Sequence, residues 1–272
     1  MDDHQFRQLL YRFNFSWTGY RKIRKGVKKR INRHMTALGC PNMADYLTQI
    51  DKNEETKQQC ELLLTVSISR FFRDYQFWRI LESEFLPEMV KKNSGRIKAW
   101  SAGCASGEEV YSFKIVWDRV KKTVGHPLKL DIIATDINPT YLDRARAGVY
   151  SSSSLKEVTE ALQCKYFQQQ SGKNLYQVRP DLGKDIRWGN HHLLSDPPGS
   201  DFDLIFLRNN ILTYYKDRLK IKALKKVLAS LSPFGLLIIG SHESLPFESA
   251  ELACVAPFPY VFRKDSNKGG YR

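Results

Sequence analysis

Three apolar runs of the sequence are each followed by polar side chains of the types that bind ligands or take part in catalysis. The first run leads to Gly103, from which Cys, Ala, Ser and Gly continue to paired carboxylates that begin with Glu108. The second run ends in Asp136, and the third ends in Arg208 and Asn209. In an open sheet of parallel strands, ligands bind beyond the carboxyl ends of the strands. We therefore expect these positions to line one ligand site.

The loop after Gly103 differs from glycine-rich loops that bind phosphate. A dinucleotide fold needs GxGxxG, and a Walker loop needs GK[ST]. This loop instead has GxxxG followed by two glutamates, which would repel phosphate groups. Glycine lets the backbone approach a ligand closely, and Asp136 is placed to accept both hydroxyls of a ribose. A nucleoside with a cationic end, such as S-adenosylmethionine, fits this set, whereas the loop alone could be a structural turn.

Short apolar runs alternate with amphipathic segments from Arg96 onward, a pattern typical of a parallel sheet with crossover helices. The predicted strands are 97–101, 130–135, 203–207 and 236–240, and the predicted helices between them are 108–122, 139–147 and 216–231. The segments NLYQV and DIRWG flank a turn at 180–183 and predict a small inserted β-hairpin. Residues 251–263 can add edge strands.

Residues 1 to about 90 show helical periodicity, with predicted helices at 23–38, 43–50, 54–64 and 75–92. The first of these helices has an apolar stripe on one face and basic residues around the rest of its circumference. The sequence from His4 to Ala44 has no acidic residue. Together with the net charge of +14, this indicates a polyanionic or acidic partner. A solvated helix face is the alternative explanation of the basic cluster.

Composition limits the class of protein. The sequence has no run of about 18 apolar residues and begins with a polar, acidic segment, so we expect neither a membrane span nor export, and we predict a cytoplasmic location. The five cysteines are scattered without metal-ligand spacing. We therefore expect reduced thiols, no disulfide framework and no metal site.

Five sequence blocks, in order, carry a resemblance to a known family. They are SISRFFRD (67–74), WSAGCASGEEVYSF (100–113), ATDINPTYLDRARAGVYS (134–151), DLIFLRNNILTYY (203–215) and LSPFGLLIIGSHESLP (231–246). In these blocks the chain resembles the CheR-type chemotaxis receptor glutamate O-methyltransferases, as a divergent member. The resemblance implies an α/β fold: a Rossmann-like S-adenosylmethionine-dependent methyltransferase domain at 75–272 with a small inserted β-hairpin, preceded by an all-helical N-terminal domain at 1–74.

The resemblance also implies site residues. S-adenosylmethionine would be the cofactor and S-adenosylhomocysteine the product. The implied cofactor-binding residues are Ser67, Ser69, Arg73, Gly103, Glu108, Asp136, His192, Leu193, Arg208 and Asn209. Arg73 would also orient the substrate carboxylate, because a guanidinium matches it bidentately, unless it forms an interdomain salt bridge. An ungapped match puts Thr213 at the family's substrate-side tyrosine, and a shift of one residue assigns that role to Tyr214.

The implied reaction is methyl transfer to glutamate carboxylates of an acidic helical protein, such as the cytoplasmic region of a chemoreceptor. A glutamate is already ionised at neutral pH, so positioning rather than a strong base would supply the catalysis. The basic helix 21–34 would contact the partner, and we expect a monomer that does not insert into membranes. Alternatives are another acceptor, including nucleic acid, and a non-catalytic module that binds S-adenosylmethionine or S-adenosylhomocysteine.

Overall fold

The computed structural model describes residues 1–66, 69–93, 95–124 and 128–265, and the first of these stretches is helical. It comprises α1 (Asp3–Arg12), a 3-10 turn (Thr18–Tyr20), α2 (Arg24–Ala37), α3 (Met43–Lys52) and α4 (Glu54–Leu64). These helices share one core, which includes Phe6, Leu9, Ile31, Tyr46 and Cys60. The helices predicted in this region are confirmed, with ends that differ by at most two residues.

Side-chain caps explain where three of these helices begin. Asp2 accepts a hydrogen bond from the backbone of Gln5, whose side chain bonds back to Asp2, a capping box that starts α1. Asn42 caps α3 and Asn53 caps α4 in the same way, each accepting from the backbone three residues on. Short polar residues between apolar stripes therefore set the helix boundaries.

The remaining elements alternate between helices and strands. In chain order they are α5 (Tyr75–Ile80), a π-helical turn (Leu81–Phe85), α6 (Leu86–Lys92), β1 (Arg96–Ala102), α7 (Glu108–Thr123), β2 (Lys129–Asp136), α8 (Pro139–Ala147), β3 (Val149–Ser151), a 3-10 turn (Ser152–Leu155), α9 (Glu160–Tyr166), β4 (Phe167–Gln169), β5 (Leu175–Val178), α10 (Pro180–Gly183), β6 (Ile186–Asn190), β7 (Phe202–Leu207), α11 (Ile211–Tyr214), α12 (Asp217–Ser230), β8 (Leu231–Ile239), β9 (Leu252–Val255) and β10 (Phe258–Lys264).

Within the described residues, seven strands form one sheet in the order β6-β2-β1-β7-β8-β10-β9. The first five are parallel, and Ala99 of β1 pairs with Ile132 of β2 and with Leu204 of β7. Successive strand residues point to opposite faces. Ala99 accordingly packs in the core beneath α5 to α7, whereas Trp100 packs in the core beneath α12. The parallel strands bring their carboxyl ends to one edge of the sheet.

The inserted β-hairpin exists, but its strands differ from the predicted pair. β4 and β5 form the hairpin, and β3 pairs with β5 to complete a small antiparallel sheet. The predicted partner of NLYQV is wrong, because DIRWG forms β6, which runs parallel to β2 with Ile186 opposite Ile132. There β6 covers the open edge of β2, and its Ile186 and Trp188 pack against the main core. The tail adds two strands beside β8 as predicted, with β10 next to β8 and β9 at the edge of the sheet.

None of the helices in the described part of the chain combines the length and the apolar character needed to span a membrane.

Candidate functional site

A cavity of about 530 Å³ lies at the carboxyl edge of the sheet. Residues that follow β1, β2, β6, β7 and β8 line it together with residues from the linker before α5 and from the N-terminal helical region. Of the predicted site residues, Ser69, Arg73, Gly103, Asp136, His192, Leu193, Arg208, Asn209 and Tyr214 all line this cavity. Ser67, also predicted to contact the cofactor, lies outside the described residues.

The loop after β1 requires glycine at both of its ends. Gly103 has φ of +81° and Gly107 has φ of +90°, a region that side chains disfavour. The amides of Gly103 and Cys104 both donate to the carbonyl of Thr135 at 2.8 Å, which ties the loop to the end of β2. A Cβ added at Gly103 would lie 2.5 Å from Nδ2 of Asn210. The loop therefore lies close against its neighbours and presents backbone to the cavity.

Asp136 is the buried carboxylate of the cavity, with 9% of its surface exposed. Its Oδ2 accepts from the Ala105 amide at 2.9 Å, and its Oδ1 accepts from the Asn138 amide at 2.8 Å. Burial raises the pKa of Asp136, and these amide donors oppose the rise. Each carboxylate oxygen can accept a second hydrogen bond. The Ile137 amide also bonds to this carboxylate, and Asp136 still keeps acceptor capacity for a hydroxyl donor.

The two glutamates at the start of α7 have different surroundings. Glu108 is 5% exposed and lies behind the cavity wall, and burial raises the pKa of its carboxyl, with a hydrogen bond to Ser69 opposing the rise. Its Oε2 has no hydrogen-bond partner among the described residues. Glu109, the second of the paired carboxylates expected at this site, lines the cavity and accepts from Ser101 Oγ at 2.8 Å, although we assigned it no individual role. Glu108 therefore does not line the cavity itself, but it bonds to Ser69, which does.

Arg208 holds the linker against the sheet. Its side chain is 4% exposed and forms ion pairs with Asp74 and, at 3.1 Å, with Glu109. Its Nη2 also donates to the carbonyl of Arg73 at 3.2 Å. A buried guanidinium between two carboxylates is costly to disturb, since removing one partner leaves an uncompensated charge. Arg208 therefore fixes the backbone that carries Arg73.

Tyr214 and Thr213 both line the cavity, but their hydroxyl groups differ. The hydroxyl of Thr213 donates to Oε1 of Glu243. Burial raises the pKa of Tyr214, and the charge on Glu243 adds to the rise while Arg73 opposes it. The Tyr214 hydroxyl is thus close enough to Arg73 for their charges to interact. Because both residues line the cavity, the assignment of the substrate-side role to Tyr214 stays a prediction.

Glu243 organises the loop after β7, and we did not predict it. Its Oε2 accepts from the amides of Asn209 at 2.9 Å and Gly240 at 2.7 Å. Asn209 has φ of +54°, a left-handed conformation that these bonds support. A signal was present, because Glu243 follows the last of the four predicted strands at the same edge as the other site residues.

The N-terminal residues pack directly on α11. The amide of Ser16 donates to the carbonyl of Tyr214 at 2.6 Å, and the rings of Phe15 and Tyr215 lie 4.5 Å apart. Gly19 lies so close that an added Cβ would be 2.4 Å from the Thr213 carbonyl oxygen. No local pattern in the sequence indicates this contact, because it joins segments about 200 residues apart.

Comparison with known proteins identifies the family. Residues 67–259 match the family model described as the CheR methyltransferase, SAM binding domain, which is more than half of the chain. The chain belongs to the CheR methyltransferase family. It is a methyltransferase whose cofactor is S-adenosylmethionine, and the predicted family, fold class and cofactor are confirmed.

Relatives agree with this family. A chemotaxis protein methyltransferase of Listeria innocua is 32% identical over 80% of this chain and 81% of the relative. Chemotaxis protein methyltransferase 1 of Pseudomonas aeruginosa is 28% identical over 80% of this chain and 81% of the relative. One solved structure that the chain resembles is the N-methyltransferase NodS of Bradyrhizobium japonicum, with a TM-score of 0.36 and 16% identity over 71% of this chain and 98% of that chain.

The residues around the cavity suit this cofactor. Asp136 offers acceptor capacity for a ribose hydroxyl, and Glu109 adds a second carboxylate to the lining. The glycine loop leaves backbone close to the cavity. Carboxylates therefore dominate the side of the cavity that is predicted to bind the cofactor.

Proposed function

We propose that this chain transfers a methyl group from S-adenosylmethionine to glutamate side-chain carboxylates of a helical protein such as a chemoreceptor. One observation carries the proposal: the cavity joins carboxylates that follow the strands, Asp136 and Glu109, to cations of the linker and the N-terminal region, which are Arg70, Arg73, Arg21 and Lys22. The first set suits a cationic cofactor, and the second suits an anionic acceptor. The names of the relatives support this acceptor class.

The chain's residues would act mainly by positioning. S-adenosylmethionine, when bound, supplies a methyl group on a sulfonium that is open to a nucleophile. A glutamate carboxylate is ionised at neutral pH, so it needs no base. Arg73 would hold it by two parallel hydrogen bonds, and the protonated hydroxyl of Tyr214 would donate a further one. Holding the reacting groups in near-attack geometry then lowers the barrier.

The cofactor residues are proposed on the same geometry. Asp136 would accept the ribose hydroxyls, while Gly103, His192, Leu193 and Asn209 would form the walls around the nucleoside. Ser69 lines the cavity and bonds to Glu108, so this pair would act together. Arg208 would contribute by holding the linker in place.

A basic stripe on α2 is the proposed partner surface. The predicted helix 21–34 begins at Arg24, and three of its cations serve the fold: Arg30 donates to the carbonyls of Leu63 and Thr65, and Lys28 and Arg24 pair with Asp3. The basic stripe consists of the exposed residues Lys25, Lys29 and Arg33, which recur at four-residue steps on one face. We propose that an acidic helix of the methyl acceptor lies along it.

The test is transfer of tritiated methyl to a chemoreceptor cytoplasmic fragment. We expect base-labile ester label in the fragment, because a carboxyl ester hydrolyses in base. Base-stable label in added nucleic acid would instead indicate the second acceptor class. Calorimetric binding of S-adenosylhomocysteine with no transfer to either would contradict the enzymatic proposal.

Charge reversal tests the basic stripe. The double variant Lys25→Glu/Lys29→Glu should raise KM for the receptor fragment about tenfold or more and leave cofactor affinity unchanged, because rim charges govern association with the partner. The matched control is Lys222→Glu/Lys225→Glu, which makes the same change in net charge at exposed lysines of α12. Equal KM values for the two double variants would contradict the assignment.

We also propose the division of the chain at residue 74, which is supported by the separate core of α1 to α4. A monomer is the proposed state in solution, and sedimentation equilibrium tests it.

A further inference from the structure

Glu61 of α4 connects the helical region to the wall of the cavity. Its Oε1 lies 3.2 Å from Nε2 of His192 and accepts from the hydroxyl of Tyr215 at 3.4 Å. Both His192 and Tyr215 line the cavity. Glu61 lies outside residues 67–259, the span that matches the family model. One carboxylate therefore joins two walls of the cavity to a helix beyond the cofactor-binding span.

The tautomer of His192 follows from its second contact. The amide of Leu194 donates to Nδ1 of His192 at 3.1 Å, so Nδ1 carries no proton. The ring proton of the neutral imidazole is then on Nε2, which donates to Glu61. The His192 ring is held from both sides, by its own loop and by α4.

We propose that Glu61 is a positioning residue for the cofactor pocket: it fixes the orientation of His192, and the helical region thereby contributes to cofactor affinity. The inference rests on the proposed placement of the cofactor beside His192 and Leu193. A side chain held by hydrogen bonds at both ring nitrogens presents one face to a ligand. Without Glu61, the ring turns about its side-chain bonds and the wall beside the nucleoside loses its shape.

The experiment measures binding of S-adenosylhomocysteine to the full-length chain by calorimetry. Glu61→Ala should weaken binding about tenfold, whereas Glu61→Gln should stay within about twofold, because its amide oxygen still accepts from Nε2. The matched control is Glu55→Ala, which removes an exposed carboxylate of the same helix that bonds to Gln59 and does not reach the cavity. This control should bind like the unaltered chain.

A double-variant cycle separates positioning from a general structural effect. In a His192→Ala background, Glu61→Ala should cause no further loss of affinity, because the group that it positions is gone. Additive losses, unchanged binding by Glu61→Ala, or equal losses for the alanine and glutamine variants would each overturn the inference. Failure of the unaltered chain to bind S-adenosylhomocysteine would instead contradict the proposed cofactor site.

Discussion

At the scale of single residues, Asp136 is the carboxylate on which the proposed cofactor site depends. It is 9% exposed, it is held by backbone amides, and it retains acceptor capacity toward the cavity. Buried carboxylates with fixed orientation are suited to bind a pair of vicinal hydroxyls, because no reorganisation accompanies binding.

Asp136→Ala should therefore abolish measurable binding of S-adenosylhomocysteine, a loss of about 100-fold or more, because hydrogen bonding to a charged group is lost. Calorimetry is the measurement. The control is Asp131→Ala, which removes a carboxylate from the same strand far from the cavity, where it pairs with Arg187. Near-normal affinity of the Asp136 variant would count heavily against the site.

Arg73→Ala should lower methyl transfer about 100-fold or more and leave affinity for S-adenosylhomocysteine within a few-fold, because the side chain is assigned to the acceptor carboxylate. Arg73→Lys should give intermediate activity, since lysine supplies charge without the bidentate fork. The exposed Arg79 of α5 provides the control Arg79→Ala. The measurement is the rate of tritiated methyl transfer at saturating cofactor. Equal rates for the two alanine variants would contradict the role assigned to Arg73.

At the scale of elements, an ion cluster links α7 to α9. Asp118 accepts from the hydroxyl of Tyr166 at 2.7 Å and from Lys165 at 3.0 Å, and it pairs with Lys122. Burial alone would raise the pKa of Asp118, but the hydrogen bonds from Tyr166, Lys122 and Lys165 lower it to about 2. The cluster stabilises the packing of α9, which leads into the small antiparallel sheet, against α7, which packs on the main sheet.

This lowered pKa gives a definite pH dependence. The ionised form is favoured in the folded state, so the stabilisation is fully present above pH 3.8, the ordinary value, and is lost as the pH falls toward 2. Asp118→Asn should lower the free energy of unfolding by about 1 kcal/mol at pH 7, and the deficit should shrink below about pH 4. Urea unfolding at several pH values measures it, with Asp143→Asn as an exposed control. A deficit that does not change with pH would contradict the assignment.

The sequence was sufficient to predict most of the longer helices, the strands β1, β2, β7 and β8, and the residues at the ends of these strands, because alternation of apolar runs and amphipathic segments is a local signal. It placed Gly103, Asp136 and Asn209 at one edge for that reason. It did not reveal Glu61 or the contact of Phe15 with Tyr215, since these join distant parts of the chain and leave no periodic trace. The predicted pairing of NLYQV with DIRWG is wrong because the residue pattern of a strand does not determine which strand it pairs with.

At the scale of the whole molecule, the cavity depends on the fit between the N-terminal region and α11. Gly19 contacts the backbone of Thr213, and Ser16 bonds to Tyr214. The wall of the cavity at α11 and the N-terminal region, which is proposed to meet the acceptor, therefore share one boundary.

Two glycine substitutions test this fit. Gly19→Ala should lower the free energy of unfolding by about 2 kcal/mol and reduce methyl transfer, because the new Cβ would overlap the Thr213 carbonyl. Gly26→Ala is the counterpart: nothing lies within 4 Å of a Cβ there, and alanine in a helix should stabilise by about 1 kcal/mol. Chemical denaturation compares them. The two substitutions should change the free energy of unfolding in opposite directions. An unchanged free energy of unfolding for Gly19→Ala would show that this boundary can accommodate a larger side chain.

The aromatic contact of Phe15 and Tyr20 with Tyr215 and Tyr214 also limits how this chain can be recombined with its relatives. A chimera that keeps the methyltransferase domain and takes the N-terminal helices of another member must bring complementary rings to these two tyrosines. Otherwise the join would expose both aromatic side chains to water. A chimera made to test the proposed role of α2 in acceptor choice therefore needs Phe15 and Tyr20 to be transferred along with that helix.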